Sequence, residues 1–307
     1  MAEIAEPKRH SFLVNLLIRL VKEKPLGTTG GVIVLVMFVT GIFADFIAPY
    51  GYNEIDTSIK LSGPMPGYVL GTDQLGRDLL SRVIYGARIS MIVGLGGAAI
   101  GTILAAVLGG LSGYLGGKFD IIVQRFVDAL MAWPWLLFVL TLMVIVGRGL
   151  PQVILVLGLR RGVIDSRIVR SAVIGVKENV YVEAAKAIGA PPWRILARHI
   201  LPNVFATIII VFSLDVGNMI LQEATVSFLG FGIPPPLPSW GNMLSSEGQR
   251  FMIYAPWLAV WPGLALSIAV YGMNMLGDAV RDILDPRLRG GVGHYGAAVK
   301  KRSHPKK

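Results

Sequence analysis

Few residues in this chain have the types and spacing that chemistry needs. Asp128 and Asp215 lie in apolar stretches, where two neighbouring carboxylates can share a proton and work as an acid–base pair, as in an intramembrane protease. Arg125 stands three residues before Asp128, and an i,i+3 ion pair on one helix is the simpler account of that acid. The phosphate-loop pattern G-x-x-x-x-G-K-[ST] is missing. The nearest candidate, Gly113-Tyr114-Leu115-Gly116-Gly117-Lys118-Phe119, lacks both the spacing and the hydroxyl. H-E-x-x-H and G-x-S-x-G do not occur either. Cysteine is absent, which excludes disulfides and thiolate chemistry, and His10, His199, His294 and His304 are too scattered for a metal cluster. The expectation is a chain that is not an enzyme and binds no cofactor or metal of its own.

One stretch is patterned. Glu183-Ala184-Ala185 is strong helix-forming sequence, Gly189 supplies a bend, and Pro191-Pro192 open a second helix with Trp193-Arg194-Ile195-Leu196, running on to Leu201-Pro202-Asn203. This is a water-soluble helix–turn–helix set between strongly apolar segments. A membrane protein has little use for one unless something soluble docks on it. Glu183 is placed as a polar anchor near a helix start, where the helix dipole favours an acid, and Gly189 as the turn that reverses the chain.

The apolar segments dictate the frame around that hairpin. Of 307 residues, 53% are hydrophobic and 16% charged, against roughly 25% charged in a soluble domain. Apolar runs near 30–49, 89–115, 127–147, 204–230 and 255–277 reach or approach the ~20 residues that span a bilayer. A sixth candidate, 150–173, has a short apolar part that runs into Arg160-Arg161. Counting it as a crossing puts the basic region 160–201 on the same side as both termini, as the positive-inside rule requires. The net charge of +10 then reflects topology rather than nucleic-acid binding.

The expected fold is an all-α polytopic membrane protein with six transmembrane helices and a cytoplasmic helical hairpin. Its organisation is a cytoplasmic segment 1–29 with no cleavable signal, an anchor helix 30–49, and an external loop and helix lead-in 50–88. A core of five spans over 89–287 follows, with the hairpin loop at 183–203, and then a basic cytoplasmic tail 288–307 facing membrane lipids. Arg77, Arg82 and Arg88 are discordant in an external loop; Asp73 and Asp78 are there to balance them, and 79–88 to continue as helix into span two. Gly94, Gly96, Gly97, Gly101, Gly109 and Gly110 read as close helix packing. Pro234-Pro235-Pro236 and Pro238-Ser239-Trp240-Gly241 read as a stiff, folded cap.

The spacing E-A-A-x3-G, with Leu201-Pro202 twelve and thirteen residues past Gly189, resembles the loop by which ABC-importer permeases grip their ATPases. The resemblance extends along the chain. Gly71-Thr72-Asp73-Gln74-Leu75-Gly76-Arg77-Asp78, Ser81-Arg82 and Tyr85-Gly86-Ala87-Arg88-Ile89-Ser90 resemble a signature of the peptide-type permeases. So do Arg125-x-x-Asp128 with Trp133-Pro134, Glu223 through Ser227-Phe228-Leu229-Gly230, and Asn274 through Asp285-Pro286-Arg287. His199-x-Leu201-Pro202-Asn203 is similar to the peptide subfamily in particular. The chain is thus identified with the shorter of the two paired permease subunits of di- or oligopeptide ABC importers in the prokaryotic inner membrane.

That resemblance implies a heteromeric complex. Its parts are a second permease subunit, two ATPase subunits (identical or not) that hold ATP and Mg, and an external solute-binding protein. It assigns Glu183, Ala184, Ala185, Gly189, Leu201 and Pro202 to ATPase coupling. Asp215, Glu223, Ser227 and Phe228 are candidates for the pathway or its gate, since ionisable groups inside a membrane are functional by default. Nickel chelates, glutathione and oligosaccharides are alternative cargoes within the same architecture. An ion-gradient-driven secondary transporter or channel, and a purely structural scaffold, are the readings from other classes. One departure stands out: span four carries Arg160, Arg161 and Asp165, with Gly162 where the family usually has tryptophan and Ser166 where it has alanine. The arginines either line the pathway or sit at the cytoplasmic helix end, where they reach water; the second is the expectation.

Overall fold

The computed structural model describes residues 12–284. The basic tail with its lipid contacts, and the closing Asp285-Pro286-Arg287, lie outside them. The described chain is helical, with α1 (Phe12–Glu23), α2 (Pro25–Ile42), α3 (Leu79–Leu115), α4 (Gly117–Ala132), α5 (Trp135–Val146), α6 (Leu150–Lys177), α7 (Val180–Ala187), α8 (Leu201–Phe228) and α9 (Trp257–Leu284) as its principal helices.

Among the described residues four helices, α2, α3, α8 with its lead-in, and α9, are each long and apolar enough to cross a membrane. A fifth crossing needs α4 and α5 taken together, and these are bent by 95°. Span three is therefore not the single helix the sequence suggested. Pro134 has no N–H for the ladder and pushes Trp133 out of helical geometry, so the chain breaks there. The sixth expected span, α6, is 28 residues long, roughly 42 Å, but its arginines keep it from qualifying on composition.

The bundle is built around α3, which packs on α6 along a run of small residues. A Cβ placed on Gly162 would lie 2.4 Å from the Gly101 carbonyl oxygen, and one on Gly109 would lie 2.3 Å from that of Ser166. The two backbones touch, so these glycines serve helix packing. Gly110, one residue on, faces Leu201 at an ordinary 3.8 Å. This neighbouring pair gives a sharp test. Gly109→Ala is expected to destabilise the protein in detergent by about 1–3 kcal/mol through overpacking. Gly110→Ala is expected to be neutral or slightly stabilising through helix propensity. Equal unfolding midpoints for the two would contradict the crossing.

The discordant arginines of the first long loop are accounted for. Asp73 accepts from the Leu75 and Arg77 amides at 2.8 and 3.0 Å and from Arg77 Nε at 2.6 Å, with Arg82 Nε at 3.5 Å. Asp78 caps α3 by accepting from the Ser81 amide, so α3 does begin in the loop, at Leu79. Arg88 donates to the Gly41 and Ile42 carbonyls at the end of α2 and to Asp45. Three charges that looked misplaced hold a folded loop onto the ends of two helices.

Candidate functional site

The patterned hairpin stands on a buried base. Val182 and Ala185 of α7, with Ile195 and Ile200 beyond the turn, pack against Ala105 of α3, Val169 and Val173 of α6, and Val204 of α8. Burial of these four side chains fixes the hairpin rigidly to three long helices. Gly189 turns at φ +79°, in the left-handed region where other residues are strained, and its N–H donates to the Lys186 carbonyl at 2.9 Å. Its Cβ position is open, so the residue is there for backbone conformation alone. Ala190 N–H returns to the Ala185 carbonyl and closes the helix end.

The outer face is different in kind. Glu183 and Ala184 are exposed, while Val180, Ile188 and Trp193 are exposed at 80, 85 and 67%. Single apolar residues at a surface mean little, but these three give one short hairpin an exposed apolar face. Sequence reasoning passed over Ile188. The available signal was a bulky apolar residue directly before the turn glycine, where a solvated hairpin would carry a polar one. Leu201 and Pro202 lie in the first turn of α8, lining an open apolar groove with Thr102, Ile103, Ala106 and Phe205.

The charges of α6 form a ladder through the bundle. Arg170 makes a two-pronged contact with Asp120 of α4 at 2.6 and 2.5 Å. Arg167 pairs with Asp128 and donates to Gln124 at 3.1 Å. Arg161 Nε lies 2.7 Å from Asp215 of α8 and 2.8 Å from Asp165 of its own helix. Arg160 and Arg161 are the eleventh and twelfth residues of α6, so the expectation that they sit at a helix end is overturned. Arg161 takes one of its two acids, Asp215, from a neighbouring helix, which no reading of one segment can supply. The proposed Asp128–Asp215 acid pair is not formed, because each acid belongs to a different arginine. Asp128 also keeps its helix neighbour Arg125, at 3.9 Å.

Of the pathway candidates, Asp215 is buried in this cluster, and Glu223 and Ser227 form a separate one. Glu223 is fully buried and accepts from Ser227 Oγ at 2.6 Å, and that oxygen accepts from the Ile233 amide at 3.2 Å. The loop beyond is indeed a folded cap. Ser239 and Asn242 cap each other's backbone, Asn242 Nδ2 donates to the Ile233 and Leu237 carbonyls, and Trp240 Nε1 donates to Val83 of α3 at 3.0 Å. Glu223 and Ser227 thus hold the cap to the end of α8. Phe228, the last residue of α8, is 39% exposed and takes no part in that network.

Hairpin, ladder and cap share one stretch of the chain, and comparison with known proteins covers that stretch. The family of binding-protein-dependent transport system inner membrane components matches residues 101–290. The chain belongs to that family. A second match, to the N-terminal TM domain of oligopeptide transport permease C, covers residues 13–64. The permease is 37% identical over 268 residues to the dipeptide transport system permease protein DppC of Alkalihalophilus pseudofirmus, across 87% of this chain and 88% of the relative. It is 37% identical to the glutathione transport system permease protein GsiD of Pectobacterium atrosepticum over 86% of this chain and 88% of the relative. It is 36% identical to the oligopeptide transport system permease protein OppC of Bacillus subtilis over 87 and 88%. The permease is a multi-pass inner-membrane subunit of a transport system, and the expected resemblance to peptide-type ABC permeases holds.

Proposed function

We propose that this permease forms half of the translocation pathway of an ATP-driven importer for di- or oligopeptides. It couples to ATPase subunits through the 183–203 loop. The observation that carries the reading is the hairpin itself, an exposed apolar tip on a base locked into α3, α6 and α8. A rigid knob of that kind passes the movement of a docked partner to the spans rather than absorbing it. In this reading the hairpin and both termini face the cytoplasm, and a second permease completes the pathway. Two ATPase subunits, identical or not, hold ATP and Mg. An external solute-binding protein delivers cargo to the folded cap. Closure of the ATPases on ATP flips the pathway outward, a two-state change biased by contacts each partner makes in only one state. The named transport systems of the relatives, dipeptide, oligopeptide and glutathione, support a peptide cargo, since glutathione is itself a peptide.

Co-purification from native membranes on a tag carried by this chain tests the reading. The wild type is expected to bring down a second permease and ATPase chains. Glu183→Lys and Gly189→Pro are expected to lose most of the ATPase and keep the sister permease. Recovery of the chain alone or as a homo-oligomer would favour a gradient-driven transporter instead.

A further inference from the structure

Among the described arginines of α6, one is left without an ion pair. Asp165 and Asp215 both close on Arg161, Asp128 takes Arg167, and Asp120 takes Arg170. Among the described residues Arg160 makes no ion pair, and its Nε is buried with no hydrogen-bond partner. It lines a cleft of about 310 Å³ with Arg161, Gln222, Met131, Trp135 and Ile164. Gln222 Oε1 is likewise buried and without a partner.

Arg160 stands ten residues into α6, roughly 15 Å along its axis, which is half-way through a ~30 Å hydrocarbon core for a span that enters it at Leu150. A guanidinium cannot rest against acyl chains at that depth; such groups face a bundle interior or a water-filled path. An unpartnered planar donor there suits a carboxylate, the group guanidinium recognises best. The Gln222 oxygen suits an amide N–H. A peptide carboxy terminus presents both groups side by side.

Resting on the peptide-importer reading, we infer that Arg160, with Gln222, forms a subsite in the pathway that receives the carboxy-terminal carboxylate of the transported peptide. Arg160 sets specificity here, while Arg161 and its two acids hold the site in place. The cleft is concave and of small-molecule size, which suits a passing solute better than a side chain of the sister permease.

The test uses the full importer complex in liposomes, with a tripeptide bearing a free carboxy terminus and the same tripeptide as its carboxy-terminal amide. Arg160→Gln is expected to lower the ratio of carboxylate to amide import about tenfold or more, the scale of one charge-assisted hydrogen bond. Arg160→Lys is expected to keep most of the wild-type ratio. Receptor preference cancels, because the same receptor serves every variant. Where Arg160→Gln does not assemble, Arg160→Met, which keeps the stem, carries the comparison. An unchanged ratio overturns the inference. So does an equal fall for both peptides, which would make Arg160 a structural residue or the partner of a carboxylate on the sister permease. Failure of the wild-type complex to import either peptide would instead overturn the peptide-importer reading, and this inference with it.

Discussion

Arg161→Leu is expected to destabilise the purified protein by about 3–5 kcal/mol, the cost of removing one partner from a buried ion pair. Arg161 forms ion pairs with both Asp165 and Asp215, which are 2 and 1% exposed, at 2.8 and 2.7 Å. Without it two buried carboxylates lose the guanidinium on which both close. Asp215→Leu is a milder change, because Arg161 keeps Asp165. It is expected to cost well under half as much. The double variant Arg161→Leu with Asp215→Leu should recover part of the loss, the non-additivity expected of residues in contact. Thermal unfolding in detergent reads all three. Equal losses for the two single variants, or strict additivity in the double, would mean that the cluster does not hold α6 to α8 in the way described.

The second large effect is expected at the hairpin tip. Ile188→Glu together with Trp193→Glu is expected to cut ATP-driven import by about 100-fold or more, the scale at which buried apolar anchors act once an interface closes over them. Both side chains are largely exposed here, so the unfolding midpoint of the isolated permease should barely move. Val182→Glu separates docking from folding. Val182 is 0% exposed in the hairpin base, and a charge there should lower the midpoint as well as import. If the tip variant imports normally, the exposed apolar face is not where the ATPase docks, and the coupling proposal loses its main support.

Some of this is legible in the sequence. The hairpin was legible because Glu-Ala-Ala, a turn glycine and a double proline are local signals, each acting within a few residues. The continuation of 79–88 as helix into span two is of the same kind, as is the reading of the span-two glycines as packing residues. The prolines of Pro234-Pro235-Pro236 and Pro238-Ser239-Trp240-Gly241 announced a folded cap because proline restricts the backbone locally.

Other features depend on neighbours far along the chain. The number of crossings was not readable, because hydropathy treats span three as one piece. The Trp133–Pro134 break turns it by 95°. The arginines of α6 were misplaced to a helix end for a related reason. A window sees their charge and cannot see Asp120, Asp128 and Asp215 on two other helices.

By itself the sequence determined the class of the protein: an all-helical membrane permease with a soluble hairpin. The helical membrane class and the hairpin follow from composition, periodicity and short-range backbone preferences, which any segment carries with it; the permease reading came from the resemblance of its motifs to a known family. Only the tertiary structure decided which charges neutralise which, that Arg160 is left over beside a cleft, and that Ile188 and Trp193 stay uncovered. Pairing and exposure are properties of what packs against a residue, and in this bundle the packing partners are dozens of residues away in the chain.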